Sequence, residues 1–268
     1  MTVNGQRLRV DIRPGNGTRT PLLLMNGFGV NLEVLHWFVD VLNPAIEVIR
    51  FDVPGTGGSP APRVPYRLSK HAWLVTKMLN QLGYQQVDVL GVSWGGGLAQ
   101  QFAFQFSRRC RRLILVSTAT GALMVPGNPL ALAQMATPRR YMDPAHMEDN
   151  AATLYGGKVR THPELAHEIA RTIRSGGLKG YFYQFLGGVG WTSVPWLPLL
   201  RQPTLIMHGD DDPLVPLVNA KIMHRLIPHS QLYIFHDGHL GLATSARELA
   251  QVVDQFLTAP VSSSTGGA

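Results

Sequence analysis

The most informative part of the sequence is Val87-Asp88-Val89-Leu90-Gly91-Val92-Ser93-Trp94-Gly95-Gly96. It contains the pattern G-x-S-x-G, which places a serine at a sharp turn between a strand and a helix. Val87–Leu90 is typical of a buried strand and Leu98–Ala103 of a helix, so the motif has the context it needs. The helix directs its first amides toward any anion formed beside the serine. Ser93 is therefore predicted to be a nucleophile; the alternative is a chance serine among glycines.

A serine hydroxyl is a weak nucleophile until a base accepts its proton and an acid orients that base. Three adjacent aspartates follow the apolar run 203–207, in His208-Gly209-Asp210-Asp211-Asp212-Pro213. We prefer Asp212, because Gly209-x-x-Asp212-x-x-x-Pro216 is the spacing of α/β hydrolases, and rank Asp211 second. We expect the two rivals to cap the turn by bonds to backbone amides.

The base is expected after the last predicted strand, Gln231–Phe235, where His236 and His239 are both candidates. His239 is preferred because Gly238 lets the loop turn over the edge of the sheet. His208 precedes the acid, which contradicts the order Ser, Asp, His of this fold. The predicted triad is therefore Ser93, Asp212 and His239.

An oxyanion hole needs two backbone amides, one of them directly after the nucleophile. Trp94 supplies that one. Asn26-Gly27-Phe28-Gly29 follows the apolar run Pro21–Met25, and Phe28 is predicted to supply the second amide. The alternative is an ordinary glycine turn.

Strands alternate with helical patterns along most of the chain, which predicts the α/β class with a mainly parallel sheet and helices on both faces. The strands are predicted at residues 8–12, 21–25, 46–51, 87–92, 113–117, 204–207 and 232–235. Residues 1–120 and 202–257 would form the core, residues 121–201 a helical lid, and residues 258–268 a disordered tail. In α/β hydrolases such a lid follows the sixth strand.

The predicted lid is rich in aromatic residues and contains the glycine pairs 156–157, 176–177 and 187–188, which we interpret as hinges. Its aromatic side chains either line an apolar cleft over Ser93 or form the core of the lid itself. The candidates for substrate contact are Tyr181, Phe182, Phe185 and Trp191.

Composition excludes several other classes of protein. The 268 residues are 45% hydrophobic, with a net charge of +7 from 24 Lys and Arg against 17 Asp and Glu. There is no signature of a nucleic-acid-binding module or zinc site, no signal peptide and no apolar run long enough to span a membrane, so we expect a cytoplasmic protein. The basic surplus fits a solvated face or attraction to an anionic lipid or granule surface.

Cys110 is the only cysteine and lacks a partner motif. Asp52 is interpreted as a turn residue.

Ten short strings together resemble intracellular medium-chain-length polyhydroxyalkanoate depolymerases, and the similarity runs from about Pro21 to Leu257. The core strings are shared by many hydrolases, whereas those of the lid are more specific. They are Asn26-Gly27, Phe51-Asp52-Val53-Pro54-Gly55, Gly91-Val92-Ser93-Trp94-Gly95-Gly96, Met124-Val125-Pro126-Gly127, Pro138-Arg139-Arg140-Tyr141, Leu154-Tyr155-Gly156-Gly157, Arg174-Ser175-Gly176-Gly177, Gly190-Trp191-Thr192-Ser193, Gly209-Asp210-Asp211-Asp212-Pro213-Leu214 and Asp237-Gly238-His239-Leu240.

This resemblance implies hydrolysis of a polyester of 3-hydroxy acids stored in cytoplasmic granules, without cofactor or metal, with Ser93 as nucleophile, Asp212 as orienting acid and His239 as base. Gly241 stands where the family pattern has a bulky apolar residue, and we expect it to widen the pocket beside the base. Two other functions fit the same triad. One is a small-molecule carboxylesterase or carbon-carbon bond hydrolase, and the other is a granule-binding or receptor-like protein with an idle triad.

Overall fold

The computed structural model describes residues 1–137, 143–173 and 176–260. Its main sheet has seven strands in the order β3-β5-β4-β6-β7-β8-β9, all parallel except β3, which runs antiparallel to β5. β1 and β2 form a separate two-stranded hairpin. The strands are β1 Thr2–Val3, β2 Gln6–Arg7, β3 Val10–Arg13, β4 Leu22–Met25, β5 Val48–Phe51, β6 Val87–Val92, β7 Cys110–Val116, β8 Thr204–Gly209 and β9 Ser230–Phe235.

Helices cover both faces of this sheet. They are α1 His36–Val41, α2 Leu68–Gln81, α3 Trp94–Gln105, α4 Pro129–Met135, α5 Pro144–Tyr155, α6 Lys158–Thr161, α7 Pro163–Thr172, α8 Leu178–Gly188, α9 Val218–Leu226, α10 Gly241–Thr244 and α11 Ala246–Thr258. Short 3₁₀ helices span Leu32–Leu35, Ser107–Arg109 and Leu197–Leu199. In the part of the chain that is described, no helix is long and apolar enough to cross a membrane.

Successive side chains of the central strands point to opposite faces and enter two separate cores. In β4, Leu23 and Met25 pack with α2 and α3, whereas Leu22 and Leu24 pack with α1 and α11. Every residue of β4, β6 and β8 is buried, as expected for strands covered on both sides. The predicted fold class is thereby confirmed.

The predicted strands agree with those of the structure except at their ends, and the hairpin of β1 and β2 was not predicted because two-residue strands show no periodicity. The insertion was expected after the sixth strand; it begins after β7, which is the fifth strand of the main sheet in chain order. A bridge between Gly121 and Thr192 joins its two ends. α11 continues to Thr258, the first residue of the predicted tail, and residues 261–268 lie outside the described part, as do the strings at 138–141 and 174–175.

The glycine pairs that we interpreted as hinges pack mostly against the rest of the protein. A Cβ added at Gly157 would lie 1.9 Å from the backbone nitrogen of Gly238, and one added at Gly187 would lie 2.4 Å from the carbonyl oxygen of Tyr66. Gly177 is surrounded by open space instead. At most of these positions glycine is needed because two backbones come into contact, and the role of the pairs as hinges stays a prediction.

Candidate active site

Ser93 stands at the turn between β6 and α3 with backbone angles φ 51° and ψ −119°, a strained conformation for a residue with a side chain. Glycine makes this turn feasible. A Cβ added at Gly95 would lie 2.1 Å from the carbonyl oxygen of Met25, and one at Gly91 would lie 2.3 Å from that of Gly95. The amino end of α3 therefore packs directly on β4, and the serine lies at the carboxyl edge of the sheet, where α/β proteins bind ligands.

The structure brings the three predicted triad residues together. Nε2 of His239 lies 3.0 Å from Oγ of Ser93, and its Nδ1 lies 2.7 Å from Oδ2 of Asp212. The other oxygen of Asp212 accepts bonds from the amides of Leu214 and Val215, at 3.0 and 2.9 Å. The Asp212 side chain is fully buried. This arrangement can orient an imidazole to accept the serine proton.

The two rival aspartates lie outside this chain of hydrogen bonds. Asp210 pairs with His236, whose side chain is 98% exposed. Asp211 pairs with Arg160 and accepts a bond from the amide of Gly157. The expectation that the rivals cap the turn is wrong, because Asp212 itself caps the turn that follows it. One carboxylate thus both holds the turn and orients the histidine.

A short segment of the insertion, Tyr155–Lys158, which we call the strap, fixes both loops that carry the acid and the base. The carbonyl oxygen of Tyr155 accepts a bond of 2.7 Å from the amide of His239. The amide of Gly157 donates to Asp211 and that of Lys158 to Asp237, at 2.8 and 2.9 Å. The Tyr155 ring stacks on the imidazole of His239 at a centroid distance of 6.4 Å.

Asp237 was missed in the sequence, although it stands two residues before the predicted base. It is buried and accepts bonds from its neighbour's amide and from the hydroxyls of Thr244 and Ser245. The amide of Lys158 is its partner in the strap. Asp237 thus joins the histidine loop to the insertion and to α10, and only the string D-G-H signals it in the sequence.

His208 is buried beneath the acid. The position of its Nε2, 2.7 Å from the carbonyl oxygen of Val215, requires the nitrogen to donate the hydrogen bond. Burial lowers the pKa of His208, so the ring stays neutral beside Asp212. His208 therefore supports the acid loop and does not replace His239.

The predicted oxyanion donors are Trp94, directly after the serine, and Phe28, in the loop after β4. Trp94 is the first residue of α3, so its amide has no acceptor within the helix. The Phe28 loop is braced by Asn26, whose side chain donates to the carbonyl of Asn31 at 2.6 Å and accepts from the amide of Gly27 at 2.8 Å. Both Phe28 and Trp94 line one cavity with Ser93, and the assignment of their amides as oxyanion donors stays a prediction.

Two cavities meet at Ser93 and His239. The inner cavity has a volume of about 60 Å³, and its apolar wall comes mainly from the Phe28 loop, α7 and α10. The outer cavity has a volume of about 430 Å³ and lies between α4, the end of α8 and the acid loop. Among the described residues that line the inner cavity there is no Lys, Arg, Asp or Glu. The site therefore suits a neutral, apolar substrate that extends in two directions.

The four aromatic residues predicted to contact substrate differ in position. Phe185 lines the outer cavity, and Trp191 lines a third cavity beside Trp94. Tyr181 packs edge-on against Phe28 with a centroid distance of 4.7 Å, so it contacts the loop that carries Phe28. Phe182 is 50% exposed and lines none of the three cavities that contain Ser93.

Three remaining sequence-based interpretations are decided by packing. A Cβ added at Gly241 would lie 2.1 Å from the ring of Phe235, so the expectation that this glycine widens the pocket is wrong. Cys110 is buried and burial raises the pKa of its thiol, which excludes a reactive nucleophile. Asp52 accepts bonds from the amides of Leu32 and Gly58 and holds two turns, as predicted.

Within the described ranges, no cluster of three His, Cys, Asp or Glu residues is arranged for a metal ion.

Comparison with known proteins identifies the family. A sequence model of the family described as "alpha/beta hydrolase fold" matches residues 20–246, and the chain belongs to this family.

A "Poly(3-hydroxyalkanoate) depolymerase" from Ectopseudomonas oleovorans is 51% identical over 255 residues, which cover 95% of this chain and 90% of that protein. This relative confirms the resemblance found in the sequence. Among solved structures, a thermophilic esterase from Thermogutta terrifontis has a TM-score of 0.79 and 26% identity, covering 94% of this chain and 93% of its own. The enol-lactonase from Burkholderia xenovorans LB400 shares the fold, with a TM-score of 0.81, 21% identity and coverage of 96% and 98%.

Proposed function

We propose that the protein hydrolyses the ester bonds of a medium-chain-length polyhydroxyalkanoate through an acyl-enzyme on Ser93. The observation that carries this proposal is the hydrogen-bonded chain Ser93, His239 and Asp212 at the junction of two apolar cavities. Each ester of such a polyester has an alkyl-substituted acyl unit on one side and the departing chain on the other, so it needs apolar room on both sides of the nucleophile. The 51% identical depolymerase supports the same substrate class.

In the acylation half-reaction, Oγ of Ser93 attacks the ester carbonyl carbon while Nε2 of His239 accepts the hydroxyl proton. The carbonyl oxygen becomes an oxyanion and accepts bonds from the amides of Phe28 and Trp94. When the intermediate collapses, the bond to the alkoxy oxygen breaks and that oxygen takes the proton from His239. The chain fragment with a new hydroxyl end leaves, and the acyl fragment stays on Ser93.

In the deacylation half-reaction, a water molecule attacks the acyl carbon and transfers a proton to His239. The new oxyanion uses the same two amides. Collapse breaks the bond to Oγ of Ser93, which recovers the proton, and the second fragment leaves with a carboxylic acid end. The carboxylate of Asp212 stabilises the imidazolium in both halves.

The cavities suggest how the polymer binds. The inner cavity, which has Ile169 and Ile173 of the insertion in its wall, has room for the first carbon atoms of the acyl unit's alkyl side chain, and the outer cavity has room for the departing chain. Residues 121–201 act as a lid that shields the ester from bulk water, with Phe185 and Trp191 in contact with the chain. The substrate would be met at the surface of a storage granule in the cytoplasm, to which the +7 net charge contributes attraction if the granule coat is anionic.

A small-molecule carboxylesterase is the second candidate, favoured by the similarity to the Thermogutta esterase. The test is a panel of emulsified medium-chain polyester, suspended short-chain polyester, p-nitrophenyl esters and a vinylogous diketone, with Ser93→Ala as the blank. We expect release of hydroxy-acid products from the medium-chain polyester. Turnover of soluble esters alone would favour the esterase, and cleavage of the diketone a carbon-carbon bond hydrolase. Labelling of Ser93 by a fluorophosphonate without any turnover would favour a binding protein.

A further inference from the structure

Helix α8 buries its small and polar residues and exposes its large apolar ones, the opposite of an ordinary surface helix. Its buried residues are Gly180, Tyr181, Gln184 and Gly187, whereas large apolar side chains point outward. Leu178, Phe182, Phe185, Leu186 and Val189, the last just beyond the helix, are between 46% and 51% exposed. Their spacing of four, three, one and three residues places them on one face. A contiguous exposed apolar surface of this kind marks an interaction site.

Contacts on the inner side of α8 fix this orientation. A Cβ added at Gly180 would lie 1.8 Å from the carbonyl oxygen of Gly55, so the helix packs backbone to backbone on the loop after β5. The side chain of Gln184 accepts a bond of 2.7 Å from the amide of Gly29. Arg67 donates to the carbonyl oxygen of Val189. Rotation of the helix to bury its apolar residues would break each of these contacts.

The outward face is continuous with the candidate active site. Phe185 and Val189 belong to this face and also line the outer cavity that contains Ser93. On the other side of the same cavity, Leu132 of α4 lines the wall and Leu130 is 59% exposed. An apolar chain lying on α8 would therefore reach the nucleophile without leaving an apolar surface.

We propose that the outward face of α8, formed by Leu178, Phe182, Phe185, Leu186 and Val189, docks the protein on the surface of its water-insoluble aliphatic polyester. This inference rests on the proposed polyester hydrolysis and adds the surface by which the solid substrate is held. The chemistry favours alkyl side chains as the occupant, because the face itself carries no charge and Lys179 is the one charged residue of α8. An anionic lipid surface would require a cluster of basic side chains, and a second copy of the chain would cover the mouth of the cavity.

The test compares the wild-type protein with the double variant Phe182→Gln, Leu186→Gln. Neither residue lines a cavity with Ser93, and glutamine is well tolerated in helices. The matched control is the double variant Leu199→Gln, Val218→Gln. These two apolar side chains are 62% and 42% exposed and lie outside α8. Binding is measured by co-sedimentation with emulsified medium-chain polyester, and soluble activity with p-nitrophenyl octanoate.

We expect the α8 variant to bind the polyester on the order of tenfold or more weakly and to hydrolyse it more slowly by the same factor. Its turnover of the soluble ester should equal that of the wild type. The control variant should match the wild type in both polyester binding and soluble-ester turnover. Unaltered polyester binding by the α8 variant would overturn the docking surface but leave the proposed activity standing. Soluble-ester turnover without polymer hydrolysis by the wild type would overturn both. A dimer that the α8 variant converts to a monomer, or equal affinity for phosphatidylcholine vesicles, would overturn the polyester as the occupant.

Discussion

The turn at Ser93 and helix α8 use the same structural device with opposite results. At Ser93, Gly91 and Gly95 let α3 approach the strands, which places a polar side chain at the edge of a buried sheet. In α8, Gly180 and Gly187 let the helix approach neighbouring loops, which turns its large apolar side chains toward solvent. Close backbone contact thus positions a polar side chain at the edge of the core sheet and exposes an apolar surface in the insertion. We expect substitutions in the core to affect the chemical step and those at Phe182 and Leu186 of α8, which line no cavity with Ser93, to affect the polymer alone.

The largest effect is expected from Ser93→Ala, because no other described side chain occupies the position of the nucleophile. Loss of one triad member lowers kcat by about a million-fold in well-studied serine hydrolases. Alanine meets the same backbone strain at this position as serine, so folding should be unchanged. The measurement is kcat on p-nitrophenyl octanoate and on polyester, with circular dichroism as the folding control. Turnover close to wild type with both substrates would refute Ser93 as the nucleophile.

The adjacent aspartates offer a matched pair for the next effect. Asp212→Asn should lower kcat roughly ten-thousand-fold, because asparagine cannot hold the imidazole in the same tautomer or stabilise the imidazolium. Asp211→Asn keeps an oxygen for the amide of Gly157 and is expected to change kcat by less than about tenfold, consistent with loss of a weak exposed ion pair to Arg160. If Asp211→Asn is the inactive variant, the hydrogen bonds seen at Asp212 do not identify the acid.

Much of the core was predictable because its signals are local. G-x-S-x-G fixes the turn at Ser93 within five residues, and buried strands with high apolar content mark β4, β6 and β8. Asp212 and His239 follow from their order and spacing after predicted strands. The distances between the three side chains required the fold, since residues 93 and 239 are brought together by the sheet.

The insertion could not be predicted to the same depth because its contacts are distant in sequence. Gly176 packs on Gly55, and Gly157 on Gly238, so positions that a local pattern of glycines marked as hinges are sites of close backbone packing. Tyr181 and Phe182 are neighbours in an aromatic string, yet the first is 5% exposed and the second 50%. Only the packing of α8 decides which aromatic faces solvent, since the inner face lacks the apolar periodicity by which helices are recognised.

The strap provides a smaller effect that links the two regions. Gly157→Ala should lower kcat by about a hundredfold, since a shift of roughly 1 Å in the His239 loop misaligns the base. Gly177→Ala is the matched control. Both glycines have positive φ, 52° and 88°, but only the Cβ at 157 would meet another backbone atom, whereas that at 177 meets open space. The measurement is kcat and KM on a soluble ester together with the unfolding midpoint. Equal loss of stability in both variants with unchanged kcat would show that the strap does not position the triad.

The smallest expected effect concerns stability and belongs to the core. Complete burial lowers the pKa of His71 to about 3 from an ordinary value of 6.5, and its ring lies edge-on to that of Trp94 at 5.5 Å. Above pH 6.5 the ring is neutral in both states and has no effect. As the pH falls from 6.5 toward 3, the unfolded chain binds a proton that the folded protein excludes, so the free energy of unfolding decreases.

Between pH 7.5 and 5 this one histidine should account for about 2 kcal/mol of lost stability. The test measures urea unfolding at pH 7.5, 6 and 5 for the wild type, for His71→Phe and for His236→Gln, whose side chain is 98% exposed in the native protein. Burial also lowers the pKa of His208, so this group destabilises the folded protein as the pH falls, as His71 does. Burial raises the pKa of Asp52 and Asp88, so these groups stabilise the folded protein as the pH falls. These groups are common to all three proteins, so the difference between their pH curves isolates His71. We expect His71→Phe to lose about 2 kcal/mol less unfolding free energy than the wild type between pH 7.5 and 5, and His236→Gln to lose as much as the wild type. Parallel curves for all three proteins would mean that His71 is protonated equally in the folded and unfolded protein.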